Sequence, residues 1–307
     1  MKKLFMVLAT FFATLFATLL ALPAQAALNV LATVPEWAAL AQEIAGDNIK
    51  MIKVSSATTA LQDPHRIDAR PSLIARARNA DLLIATGAEL ETGWLPVVQR
   101  ESGNARIQTG QPGYFEAAAH ARMLEIPAKL DRADGDVHAS GNPHINTDPR
   151  VYLKVGEALA ARLAQIDPAN AAAYRAGYAA FSARWQANLT RWEKQVAPLR
   201  GQPIVVQHKS FSYLLDWLKL KEVATLEPKP GVEASAAHLS RVLQQVKEQK
   251  PRWVIRAVWE GNRATDWFAA NSGIPAVVLP FTVGGNDAAK DLTSLFDDTL
   301  ARLLTAK

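Results

Sequence analysis

Six histidines are spread along a chain of 307 residues: His65, His120, His138, His144, His208 and His238. An imidazole can ligate a first-row divalent metal, move a proton near neutral pH, or simply pack and cap. Three of the six stand where ligation is favoured. His65 closes "LQDPH", His144 closes "GNPH", and His208 ends the apolar run "PIVVQH". In the first two an Asx-Pro pair restricts the backbone just before the histidine and holds the imidazole in one direction. A metal site needs such rings, because their orientation must be set before the ion arrives. Three neutral imidazoles from separate loops, with a carboxylate or water as fourth donor, make a typical first-row divalent site. That constellation serves a zinc hydrolase as well as a metal carrier. His238 falls inside an amphipathic pattern and His120 in an alanine-rich connector, so both read as structural. His138 lies in the glycine-containing "DGDVHASGNPH" and reads as an accessory near the site, on a loop with nothing to stiffen it, not as a ligand.

The elements that must position these rings alternate along the chain. Short β-branched runs at 29–34, 49–54, 81–86 and 105–109 fill the first half, and runs at 203–207, 222–226, 252–258 and 275–280 fill the second. Helical patterns at 35–46, 70–80, 236–249 and the C-terminus separate them, which is the signature of parallel α/β architecture. The expected fold is therefore α/β with two lobes, each a four-stranded, mainly parallel sheet flanked by helices. His65 and His208 then fall at the carboxyl ends of strands, where open α/β sheets place their ligands. Asp148-Pro149 reads as the start of one helix and Asp167-Pro168 as the restart of a longer one. Tyr174, Tyr178, Phe181, Trp185, Leu189 and Trp192 recur at three- and four-residue steps. They predict one long rigid helix lying across both lobes. The predicted division is a signal peptide over 1–26, a first lobe over 27–166, a linking helix over 167–200 and a second lobe over 201–307.

The opening "MKKLFMVLATFFATLFATLLALPAQA" has a cationic start, an apolar run and a small-x-small cleavage pattern, which predicts export with cleavage near Ala27. Loss of Lys2 and Lys3 would take the formal charge from +5 to +3, with no basic arm or aromatic-interleaved patch. Nucleic-acid binding is thereby unsupported. There is no cysteine. Thiolate ligation and diacylglycerol anchoring both lack their residue, so the expected product is periplasmic and not a lipoprotein. No HExxH pattern sets a glutamate beside a histidine, which weakens the hydrolase reading.

Taken in order, "DPH", "PSLIARARNADLLIATGAELETGWL", "GNPH", a long helix, "VVQHKSFSYLLDWL" and "EPKPGVEASAAHLSRVLQQVKEQK" resemble the zinc- and manganese-specific periplasmic solute-binding proteins of ABC importers. The likeness covers the whole chain after the signal. It implies a carrier, not an enzyme, with metal held between two α/β lobes joined by one long helix. It implies His65 and His144 as first-lobe ligands, His208 as the second-lobe ligand, and an acidic fourth ligand from the loop after the last strand. There the chain departs from the family pattern, with Val283 and Gly284 where many members carry aspartate. Asp287 is the nearest carboxylate and the chosen fourth ligand, with Asp291, Glu227 and water as alternatives. Histidine at all three readable positions favours Zn²⁺ as cargo over the harder Mn²⁺. The implied partner is the membrane permease of an ABC importer. The protein is expected to act as a monomer, with loading by a periplasmic metallochaperone left open.

Overall fold

The computed structural model describes residues 27–129, 135 and 137–306. The expected signal segment lies outside the described residues.

Two four-stranded, wholly parallel sheets form the frame. The first has the order β2-β1-β3-β4, built from β1 (Leu28–Ala32), β2 (Ile52–Ser56), β3 (Leu82–Ala85) and β4 (Tyr114–Glu116). The second has the order β6-β5-β7-β8, built from β5 (Pro203–Val206), β6 (Lys221–Thr225), β7 (Trp253–Ala257) and β8 (Ala276–Leu279). Both place their first strand next to the second and third, so each lobe repeats one winding.

Alternation along the strands sorts side chains between two layers. Val30, Ala32, Leu82, Ile84, Ile204, Val206, Trp253 and Ile255 all belong to one core that runs unbroken through both lobes. Their neighbours Leu31, Leu83 and Ala85 face a smaller core on the outside of the first sheet. Val205 and Val254 face its counterpart on the second. Helices α1 (Pro35–Ala45), α4 (Val151–Ile166), α5 (Ala171–Gln195) and α9 (Leu292–Thr305) contribute to the shared core. Helices α2 (Pro71–Arg78) and α3 (Leu95–Ser102) cover the outer face of the first sheet, and α7 (Ala236–Val246) and α8 (Arg263–Ser272) that of the second. Burial on both faces is why the inner strands β1, β3, β5 and β7 read as near-continuous apolar runs.

The linking helix is α5, shorter than expected from sequence, because 3₁₀ turns at Pro168–Asn170 and Ala197–Leu199 bound it. Tyr174, Phe181, Trp185 and Trp192 are buried on its inner face. Gly177 permits the closest approach: a Cβ there would stand 2.0 Å from the Ile44 carbonyl oxygen of α1. Helix α6 (Ser212–Leu218) completes the set.

Two expected strands are displaced. Residues 105–107 form a 3₁₀ turn, because the Asn104 side chain accepts the Arg106 amide. The fourth strand follows at Tyr114, where Gly113 brings the chain against the Asp81 carbonyl, 2.7 Å from where a Cβ would be. In the 49–54 run, residues up to Met51 belong to a 3₁₀ helix and pairing with β1 begins at Ile52.

The seam between the lobes is hydrogen-bonded as well as apolar. Thr282, after β8, donates to the buried Glu36 carboxylate of α1 at 2.6 Å, and the Asn146 amide donates to the Phe281 carbonyl at 3.0 Å. Burial pushes the Glu36 carboxyl up from 4.5 to about 7, against the Thr282 hydrogen bond and with the Glu91 charge adding to the rise. A carboxyl raised in the folded state contributes stability that is full below its unfolded value and lost as pH rises through about 7. Glu36→Gln should therefore stabilise the protein at pH 8 by on the order of 2–3 kcal/mol and change little near pH 4.5. Thermal unfolding at the two pH values checks this; an equal gain at both would contradict it.

Candidate metal site

Three Asx-Pro dipeptides shape the first-lobe side of the site, and their side chains act directly. Asp63 Oδ1 accepts the His65 amide at 3.0 Å, Asn142 Oδ1 accepts the His144 amide at 2.9 Å, and Asp148 Oδ1 accepts the Arg150 amide at 2.8 Å. Each is an Asx turn: proline sets φ, and the preceding side chain locks the backbone two residues on. At 148–150 the consequence differs from the sequence expectation. Asp148 holds Arg150 rather than capping α4, whose N-cap Arg150 makes no side-chain capping hydrogen bond. The His65 turn goes one step further, because its ring Nδ1–H also donates to Asp63 Oδ1 at 2.8 Å. That bond leaves Nε2 available to a ligand, and His65 Nε2 is buried with no hydrogen-bond partner.

His144 is 2% exposed, and its Nδ1 is likewise buried without a partner. Burial, reinforced by the neighbouring charges of His65, His208 and His138, holds its pKa well below the ordinary histidine range. It is therefore neutral and a competent ligand near neutral pH. The Asn142 amide nitrogen donates to Glu125 at 2.9 Å and crosses to the second lobe, donating to the Lys209 carbonyl at 2.8 Å. Lys209 follows His208 in the chain, so one asparagine ties two of the rings together.

His208 stands two residues beyond β5 and donates from Nδ1 to Glu227 Oε2 at 2.7 Å. Burial opposes protonation here, yet the Glu227 hydrogen bond and charge, followed by Glu260 and Asp63, outweigh it and raise the pKa. Glu227 is itself held by the Gly231 amide at 2.9 Å. His65 and His208 thus share one design, a carboxylate on Nδ1 that fixes the tautomer and turns Nε2 toward an ion.

The three rings meet between the lobes. Ring centres are 5.2 Å apart for His65–His144, 5.7 Å for His144–His208 and 6.3 Å for His65–His208. An imidazole ligating zinc at about 2.0–2.1 Å puts its centre roughly 3 Å from the ion, so two tetrahedrally placed rings have centres roughly 5 Å apart. The spacing suits a single ion. The nitrogens do not converge as they stand: among the described residues, no three His, Cys, Asp or Glu side chains form a group that would hold a metal ion. Trp259 and Phe281 wall the rings, 6.4 Å from His65 and 5.4 Å from His144. Above them a cavity of about 450 Å³ opens past His138, Asn142, His144, His208 and Lys209. A larger hollow of about 640 Å³ runs along α1 and α5 past Gly177, Arg184 and Lys290. It holds no histidine, whereas the smaller cavity is lined by His138, His144 and His208.

The other candidates fall elsewhere. Asp287 is exposed on the turn between β8 and α9 and does not line the cavity. Asp291 caps α9 in a capping box with Ser294. Glu227 grips His208 from behind. His120 stacks on Phe115, and the His238 amide is capped by Ser235 at the start of α7. Sequence reasoning missed Glu260, which is 7% exposed and accepts from Ser210 and the Ala257 amide. Burial raises its carboxyl to about 7, and His208 lies close enough to lower it in part. Nothing in "VWEGN" marks it locally. Asp63 and Asn142 were legible, since each sits inside the motif that was read only for its proline.

Two parallel-sheet lobes pinned by one long helix, with inward imidazoles from both lobes at the strand ends, define a two-lobed binding protein of the single-helix type. The chain belongs to the ZnuA family, described as zinc-uptake complex component A, periplasmic, whose model matches residues 30–306. It is 24% identical over 258 residues to the zinc-binding lipoprotein AdcA of Streptococcus pneumoniae serotype 4, covering 82% of this chain and 49% of that one. The chain thus spans about half the length of that relative. It is 24% identical to the high-affinity zinc uptake protein ZnuA of Yersinia pestis, covering 61% of this chain and 63% of that one. It is also 24% identical to the manganese ABC transporter substrate-binding lipoprotein PsaA of S. pneumoniae, covering 92% and 90%. A crystal structure of ZnuA shares the fold, with a TM-score of 0.74 at 22% identity, covering 91% of this chain and 99% of that one.

Proposed function

We propose that this protein is a periplasmic receptor that captures a divalent metal ion, Zn²⁺ foremost, between its lobes and delivers it to the permease of an ABC importer. The observation that carries this reading is the meeting of His65, His144 and His208 between the lobes, with two buried ring nitrogens lacking any partner. Unpartnered buried nitrogens are costly unless something binds them. Membership of the zinc-uptake family supports the same reading, and that family consists of substrate receptors, not enzymes.

Zn²⁺ is favoured over Mn²⁺ because neutral imidazoles suit the softer cation, and the carboxylates nearest the rings are engaged behind them. Resemblance to a manganese receptor keeps Mn²⁺ as the second reading. A hydrolase would need a carboxylate free to serve as base. Glu260 has both oxygens engaged, by Ser210 and the Ala257 amide.

The division into a signal over 1–26, lobes over 27–166 and 201–307 and a linker over 167–200 belongs to this proposal. So do a monomeric state and release without a lipid anchor, since the chain has no cysteine to carry one. Among the described residues no helix is long and apolar enough to cross a membrane. Metal analysis of protein purified from its own periplasm should find close to one zinc per chain. Manganese in its place would favour the second reading, and zinc affinity weaker than micromolar would sink the proposal.

A further inference from the structure

We infer that His138 is the fourth ligand of the bound ion. The inference rests on the proposed three-histidine site and names its missing donor.

The His138 ring stacks on His65, with centres 5.4 Å apart and planes inclined by 29°. That separation falls within the range spanned by the other three pairs, 5.2 to 6.3 Å. It therefore meets the same spacing of roughly 5 Å for two imidazoles sharing one ion. His138 lines the cavity together with His144 and His208.

The turn that carries it is anchored on the first lobe. The Gly141 amide donates to the His138 carbonyl at 3.1 Å. Ser140 donates to Glu89 from both its amide, at 3.3 Å, and its hydroxyl, at 3.1 Å.

The expected acidic donor leaves this position open. Val283 and Gly284 replace it, Val283 lines the hollow along α1 and α5, and Asp287 is exposed. A fourth imidazole completes a neutral all-nitrogen set that favours zinc over manganese more strongly than three imidazoles and a carboxylate.

X-ray absorption of the zinc-loaded protein should count four imidazoles in the wild type and in Asp287→Ala, and three in His138→Ala. Chelator competition should show His138→Ala binding zinc about 10- to 100-fold more weakly, with Asp287→Ala unchanged. Three imidazoles with an oxygen donor in the wild type would overturn the inference, as would full affinity in His138→Ala. Zinc retention by His65→Ala and His144→Ala would instead overturn the three-histidine site itself, so the two failures are distinct.

Discussion

His144→Ala is expected to weaken zinc binding by about 100-fold or more while leaving the metal-free protein folded. Even partners that merely orient a metal-bound histidine typically cost 10–100-fold when lost, and a direct ligand should cost at least as much. The side chain is 2% exposed, its Nδ1 has no partner, and its charged form is disfavoured by burial. Its Nδ1 makes no hydrogen bond that removal would break. The bonds that place the segment run through Asn142, from its Oδ1 to the His144 amide and from its Nδ2 to Lys209 and Glu125. Those survive the substitution, so loss of zinc would report ligation and not collapse. The check is the zinc-induced rise in unfolding free energy. A 100-fold weaker site forfeits about 2.7 kcal/mol of that rise at saturating zinc. An unchanged rise would show that His144 is not a ligand.

Trp185→Ala should remove about 3–5 kcal/mol of stability, as expected for deletion of a fully buried aromatic side chain. Trp185 is 1% exposed at the middle of α5, where it joins elements of both lobes. Its ring centre lies 5.3 Å from Tyr152 of α4, 5.2 Å from Trp192 and 5.8 Å from Phe296 of α9. Its indole N–H donates to the Pro149 carbonyl at 2.6 Å, within the third Asx turn. Truncation therefore opens a cavity and also orphans a buried acceptor. Urea titration should show a lower midpoint with an unchanged slope. A loss below about 1 kcal/mol would mean that the helix rests on the lobes without bracing them.

Much of the fold was legible because its signals are local. Parallel strands buried on both faces must be largely apolar, and the centres of "DLLIAT" and "RWVIRAV" are. The aromatic spacing from Tyr174 to Trp192 is fixed by helical periodicity, and those residues do face inward. Where the expectation slipped, at 105–109, a β-branched residue in a short polar run was outweighed by the Asn104 cap and by Gly113. The cap acts within two residues, but Gly113 acts through the distant Asp81 carbonyl, which composition does not reveal.

The site divides along the same line. By itself the sequence determined which imidazoles have stiffened approaches, because proline and the Asx side chain before it act within three residues. It also determined the absence of thiolates. Only the tertiary structure decided that Glu227 orients His208 from 19 residues away, that Asn142 stitches the two lobes, and that His138 stacks on His65. Only it removed Asp287 from the cavity and put the buried Glu260 behind His208. The physical reason is that ring direction is a short-range property of the backbone. Convergence on one ion instead depends on how two separately wound lobes are packed against a shared helix.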